Sequence, residues 1–223
     1  MMSNLFSIFD PSSSMGAIPM NWVALWAGIS VLVYPMWVVP SRSNVVMIIV
    51  IKSLFNEMRL LLRGSGESLV LVFLALFFVI LMNNLLGLVP HVFTTTSHLI
   101  ITLSLALPLW LGYYSRGWVT NTTHMLAHLV PQGTPSALMP FMVLIESISS
   151  IIRPGTLAVR LAANMIAGHL LLALMSGAIT IFSPSSGLMI AVSQIALFAL
   201  EVAVAAIQAY VFAVLSALYA SEV

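Results

Sequence analysis

Of the 223 residues, 61% are hydrophobic and only 6% are charged, with a formal net charge of +1. A soluble domain carries about 25% charged residues, so this chain cannot clothe a water-exposed surface and reads as an integral membrane protein of the all-α class. The near-neutral balance and the lack of any Lys/Arg block exclude nucleic acid as a partner, and the absence of cysteine excludes disulfides, thiol catalysis and thiolate metal sites.

The expected architecture is a single membrane domain of about five transmembrane helices plus one amphipathic interfacial helix. Residues 1–19 contain Asp10 but no Lys or Arg. They lack the basic region of a secretory signal and the Arg-rich amphipathicity of a transit peptide. The chain is therefore expected to insert through its own first span, or to be made where it works. That span is 20–39, with Trp22 and Trp37 near its ends, where amphipathic rings prefer the interface. In 41–63, Lys52, Asn56, Arg59 and Arg63 fall at i, i+4, i+7 and i+11, one polar stripe on a helix whose other face is Ile, Leu, Met and Phe. Such a helix lies on the membrane surface, and Gly64-Ser65-Gly66 is expected to end it.

Spans at 68–89 and 98–115 follow, joined around Pro90 and His91. Two crossings return the chain to the side of 41–63, so Arg42, Lys52, Arg59, Arg63 and Arg116 share one compartment. The positive-inside bias makes that the inner side and puts the N-terminus outside. Residues 136–182 are helical in character, interrupted mainly at Pro140 and Pro154-Gly155, and would extend about 70 Å against a hydrocarbon core of about 30 Å. Residues 187–221 add about 52 Å by the same rise. Tilts of roughly 0–40° do not absorb that excess. The two elements are expected to be steeply tilted or broken and paired as a hairpin turned at 183–187.

The ionisable residues inside these spans are Glu146, Arg153, Arg160, His169 and Glu201. A charge at a helix centre costs on the order of 2.5–3.5 kcal/mol even on lenient scales, and usually faces a bundle interior or a water-filled cavity. A long side chain near a span end can instead snorkel to the headgroups, but Arg160 lies far from an end. Glu146, Arg153 and Arg160 are spaced by seven and share a face if the helix survives Pro154. His169 falls opposite Arg160. On the last helix Gln194, Glu201 and Gln208 form a second polar stripe with no basic residue in that helix, so Glu201 needs a partner elsewhere or a proton. Its neighbours VAVAAIQA are small and allow close helix approach.

His124 and His128 have the i, i+4 spacing of a two-His metal face, yet no third ligand is evident, and a loop at the headgroups is the better reading. His91 and His98 flank a turn at the interface. Asn121-Thr122-Thr123 has the glycosylation pattern but falls on the inner side. With no GxxxxGK[ST], GxGxxG or HExxH, the chain is expected to have no nucleotide site, metal, cofactor or catalytic constellation of its own.

The stretch IESISSIIRPGTLAVRLAANMIAGHLL, with MNNLLGLVPH before it and ALEVAVAAIQAYVFAVL after it, resembles the subunit a family of F-type ATP synthases. The animal mitochondrial branch is the nearest match, and the similarity covers essentially the whole chain. The resemblance implies that Arg160 faces a rotating ring of c subunits. It also implies that Asn164, His169, Glu201 and Gln208 surround the proton inlet path and that Glu146 lies near the outlet. Bacterial relatives carry an acid where His169 stands and a histidine where Glu201 stands, which suggests that the pair works as a unit. The implied partners are the c-subunit ring, other membrane-sector and peripheral-stalk subunits, and the lipid bilayer of the mitochondrial inner membrane. Met richness and the missing presequence fit organelle-encoded synthesis.

On this reading two aqueous half-channels each reach mid-membrane, and a proton passes between them on a ring carboxylate. A fixed cation favours ionisation of the approaching carboxylate, and arginine, unlike lysine, cannot lose its charge when buried. Two other functions would also need intramembrane charges. One is a secondary transporter or ion channel, which would often show internal repeats; none is apparent. The other is a structural anchor subunit of a respiratory complex, with Arg160 satisfied in a fixed interface.

Overall fold

The computed structural model describes residues 9–12, 20–30, 40–62, 67–89, 92–130, 138–179 and 184–221, and all regular structure among them is helical. A 3-10 turn, Met20–Trp22, leads into α1 (Val23–Ser30). Then come α2 (Arg42–Leu61), α3 (Glu67–Gly87), a 3-10 turn at Thr95–Ser97, α4 (Leu99–Thr120), α5 (Thr122–His128), α6 (Met139–Ile179) and α7 (Pro184–Ser221). By length and composition, Ser68–Gly87, Met139–Ala178 and Gly187–Ser221 are each able to cross a membrane. The fold is that of an all-α membrane protein whose last two helices pair as a long hairpin. The second half of the expected first span, the glycines expected to end α2, and Pro90-His91 lie outside the described residues.

Ser41 caps α2, its hydroxyl accepting from the backbone N–H of Asn44 at 3.4 Å. The polar stripe Lys52, Asn56 and Arg59 is exposed, whereas Leu54, Phe55, Met58 and Leu62 pack against the core. Tyr210 on α7 donates its hydroxyl to Glu57 at 3.3 Å, fixing α2 beside the C-terminal half of the hairpin. α2 thus packs on the bundle through one face and leaves its polar stripe exposed.

The centre of the molecule is α3 against α7. Ala205, Ala209, Ala213 and Ala217 are buried at four-residue spacing, a seam of small side chains that brings two backbones close. Phe73, Ile80 and Phe212 fill the space beside it, each at most 1% exposed. On α6 the buried face is Leu157, Ala158, Leu161, Ala162 and Met165, the i, i+3, i+4 stripe of a helix packed on one side only. Exposed apolar residues such as Val119, Ile100 and Met189 ring the outside, as suits a surface facing lipid or partner subunits.

Several boundaries differ from those expected. α6 runs unbroken for 41 residues through Pro154, where a break was one of the two outcomes foreseen. Proline removes one hydrogen bond, but in hydrocarbon each further unsatisfied backbone group costs several kcal/mol, so a break loses more than the continuous helix does. Pro140 is the second residue of α6, where its missing N–H is harmless. If it stays within a ~30 Å core, a straight helix of about 62 Å lies roughly 60° from the membrane normal. α7 begins at Pro184, so 184–187, expected within the turn, are helical; proline is well suited to a first helical position. α4 continues to Thr120 through Pro108 instead of stopping at 115. Residues 122–128 form α5 rather than a loop, because the chain leaves helical geometry only at Asn121 (φ −138°, ψ 64°) and resumes at once.

Candidate functional site

Arg160 stands near the middle of α6 with its side chain exposed. Among the described residues no carboxylate or other group pairs with it. Ala163 and Ala167 continue the same exposed strip along α6, and Ala199, Ala203 and Ala206 are exposed on α7. Along α6 the fixed cation is thus followed on its exposed strip by small side chains, which let another helix come close.

His169 lies on the other side of α6, as its spacing requires. It lines a cavity of about 20 Å³ together with Asn164, Glu201 and Gln208, the four residues that the family resemblance grouped. The two long helices bring His169 and Glu201 to one level, since a Cβ added at Gly168 would fall 2.8 Å from Glu201 Cδ. The two side chains are not hydrogen-bonded to each other. His169 Nε2 and Glu201 Oε2 are both buried without a protein partner, while the imidazole hydrogen-bonds to the backbone of Gly87. A cavity of this size has room for about one water molecule, so a proton passing between them would move through a bridging group.

The same imidazole also borders a wider, open cleft of about 760 Å³ between the end of α3, the 92–94 loop, the end of α6 and the start of α7. Asn21 and Gln194 line it, and the ring of Phe9 stands edge-on to His169 at 6.5 Å. His169 thus separates an open vestibule from a small interior cavity. Gln194, Glu201 and Gln208 follow that route inward along one face of α7.

Three participants were not singled out from sequence. Asn84 is 0% exposed and lines the small cavity; its amide donates to the Ala205 carbonyl at 3.4 Å, and its Oδ1 has no partner. Gly168 leaves space for the Glu201 carboxylate, and Gly87 supplies backbone to His169. The double asparagine in an apolar helix was the available signal for Asn84. Its neighbour Asn83 turns the other way, donating to the Val79 carbonyl at 2.9 Å and packing on Gly28 of α1.

Glu146 and Arg153 form an ion pair at 3.4 Å, seven residues apart on α6, and Arg153 lies 5.7 Å from the centre of the Tyr219 ring. The pair sits at the end of the bundle where α6 begins and α4 and α7 finish. Arg160, one heptad further on, is exposed and has no partner among the described residues. His98 packs between Trp22 (5.5 Å) and Phe93 (5.3 Å) beside the buried run Thr94–Ser97. His124 and His128 share α5, and no cluster of three metal-ligating side chains occurs among the described residues.

A family model described as "ATP synthase A chain" matches residues 14–221. The chain belongs to the ATP synthase A chain family. It is 54% identical to ATP synthase subunit a of Drosophila melanogaster over 224 residues, covering the whole of both chains. It is similarly 53% identical to the Anopheles gambiae protein over 225 residues and 50% identical to that of Locusta migratoria over 224, again with full coverage of both. As a member of this family the chain is a membrane component of an ATP synthase complex with a role in proton transport.

Proposed function

We propose that this chain is the stator component that couples proton flow to rotation in the mitochondrial inner membrane, with Arg160 facing a ring of c subunits. The supporting observation is Arg160 itself, a guanidinium near the middle of a long apolar helix, exposed and unpartnered among the described residues. A charge so placed costs several kcal/mol unless it meets an opposite charge or water. A ring carboxylate that arrives, ionises and leaves is the partner that matches an exposed rather than a buried arginine.

The inlet half-channel runs from the vestibule past His169 to Glu201, Asn164 and Gln208, with Asn84 in its wall. The outlet lies near Glu146, at the opposite end of α6. Because the two half-channels do not meet, protons reach the outlet only on the ring, and the permanent charge of Arg160 opposes a direct leak. The c ring, the remaining membrane-sector subunits and the peripheral stalk are its partners.

The test is substitution in the assembled complex. Arg160→Gln and Arg160→Lys should both assemble and both lose proton-driven ATP synthesis. Coupled synthesis at about half the normal rate or better in the lysine variant would overturn the argument from permanent charge.

A further inference from the structure

Phe9-Asp10-Pro11-Ser12 precedes the first helix and falls on the expected outer side. Its local structure follows from its composition. The Asp10 carboxylate accepts from the backbone N–H of Ser12 at 3.0 Å, the turn that an aspartate makes with the backbone two residues on. Pro11 narrows the backbone choices of both itself and Asp10. The amide of Asn21 donates to the Asp10 carbonyl at 3.5 Å, and Asn21 lines the vestibule. The turn is thus tied to the vestibule wall. Phe9, directly before it, is set beside α6, where its ring meets the His169 imidazole at 6.5 Å between centres and 84° between planes. That is the edge-to-face arrangement that aromatic rings prefer.

His169 needs a support there. On one side lies the open vestibule of about 760 Å³, into which a side chain on α6 has room to turn. On the other lies the cavity of about 20 Å³ shared with Glu201. His169 Nε2 is buried without a protein partner, so no direct bond to Glu201 holds the ring toward that cavity. From α3 it meets the backbone of Gly87. Passing a proton through a bridging group requires the imidazole to keep its place, because a misplacement of about 1 Å can cost about 10²-fold. We infer that Phe9 is a positioning residue for His169. Its ring stands against the imidazole and keeps it turned toward the inner cavity rather than out into the vestibule. Phe9 has no proton to give, so it acts through His169 alone, and the inference rests on the reading of His169 as an inlet group.

The test uses the complete complex in sealed vesicles and has two readouts. One is proton-driven ATP synthesis per assembled complex. The other is the rate at which diethyl pyrocarbonate modifies His169, followed by peptide mass spectrometry. Phe9→Ala should lower synthesis about tenfold, within the range expected of a displaced reacting group. His169 should react about two- to tenfold faster, the factor by which losing an aromatic pair shifts a side chain between two positions. Phe9→Tyr, which keeps the ring, should stay near the unaltered complex in both. A merely structural role would reduce the yield of complex and leave the modification of His169 unchanged, which would overturn the inference. So would normal synthesis in Phe9→Ala, or Phe9→Tyr as slow as Phe9→Ala. If Phe9→Ala does not assemble, Phe9→Leu, which fills space without a ring, takes its place with the same two expectations. His169→Ala separates this inference from the reading beneath it. Normal synthesis without the imidazole overturns the inlet role of His169, whereas normal synthesis in Phe9→Ala beside an inactive His169→Ala overturns only the role of Phe9.

Discussion

Gly168 has no side chain, and the carboxylate of Glu201 occupies the space one would need. Its contribution is positional, because a Cβ there must displace the carboxylate from the cavity it shares with His169. Gly168→Ala should therefore leave assembly intact and lower proton flux between ten- and a hundredfold, since a misplacement of about 1 Å at a reacting group can cost about 10²-fold. Flux at the wild-type rate would mean that Glu201 does not act from this position. A second expectation follows from the missing direct hydrogen bond between His169 and Glu201. Glu201→Gln should slow proton uptake without preventing assembly, and flux measured across pH 6 to 8 should show it. Arg160, His169 and Glu201 were legible in the sequence because a polar residue in an apolar helix has a visible cost. Gly168 and Asn84 were not. Their significance depends on contacts with another helix; a glycine in a membrane span announces nothing, and the Asn83-Asn84 pair signals a buried polar group without saying which asparagine faces the cavity.

α6 and α7 were recognisable as elements from length alone, since no ordinary tilt accommodates so many apolar residues in a bilayer. Their ends were harder to read. Proline signals both a break and a start, and here Pro154 lies inside a continuous helix while Pro184 opens one. Likewise His124 and His128 looked like loop residues because nothing in seven residues shows helical periodicity decisively. The alanines of α7 divide into two sets with different consequences. Ala209 is fully buried in the seam with α3, whereas Ala206 is exposed. Ala209→Leu should overpack that seam and destabilise the chain by about 1–3 kcal/mol, seen as a lower thermal midpoint or yield of the complex. Ala206→Leu, at an exposed position, should leave the midpoint unchanged. Equal loss of thermal stability in both variants would argue against this division of faces.

For the molecule as a whole, the ends of the helices sort the charges. The end of α4 with Arg116, the start of α6 and the end of α7 meet around a cavity lined by aromatic rings, and α2 lies beside the same half of α7. The vestibule occupies the opposite end. With basic residues facing inward, the C-terminus is expected inside and the connection between α6 and α7 outside. A tag after Val223 should resist protease added from the outer face and be cut only after permeabilisation; cleavage in intact membranes would reverse the orientation. The charge bias is what the sequence offers on orientation, and the tag experiment tests it. The division between vestibule, inner cavity and aromatic cavity was not legible there, because cavities arise from which faces pack together.

The exposed position of Arg160 also bears on the life of a copy that has found no partners. Such a chain holds a guanidinium toward acyl chains, at a cost on the order of 2.5–3.5 kcal/mol even on lenient scales. That is a sizeable share of the margin by which ordinary folds persist. The feature suited to rotary coupling thus marks the unassembled chain as unfinished, and membrane proteases that sample poorly settled helices should clear orphan copies faster than assembled ones. Neutralising Arg160 should lengthen the survival of the orphan even as it abolishes coupling, so that abundance and activity move in opposite directions.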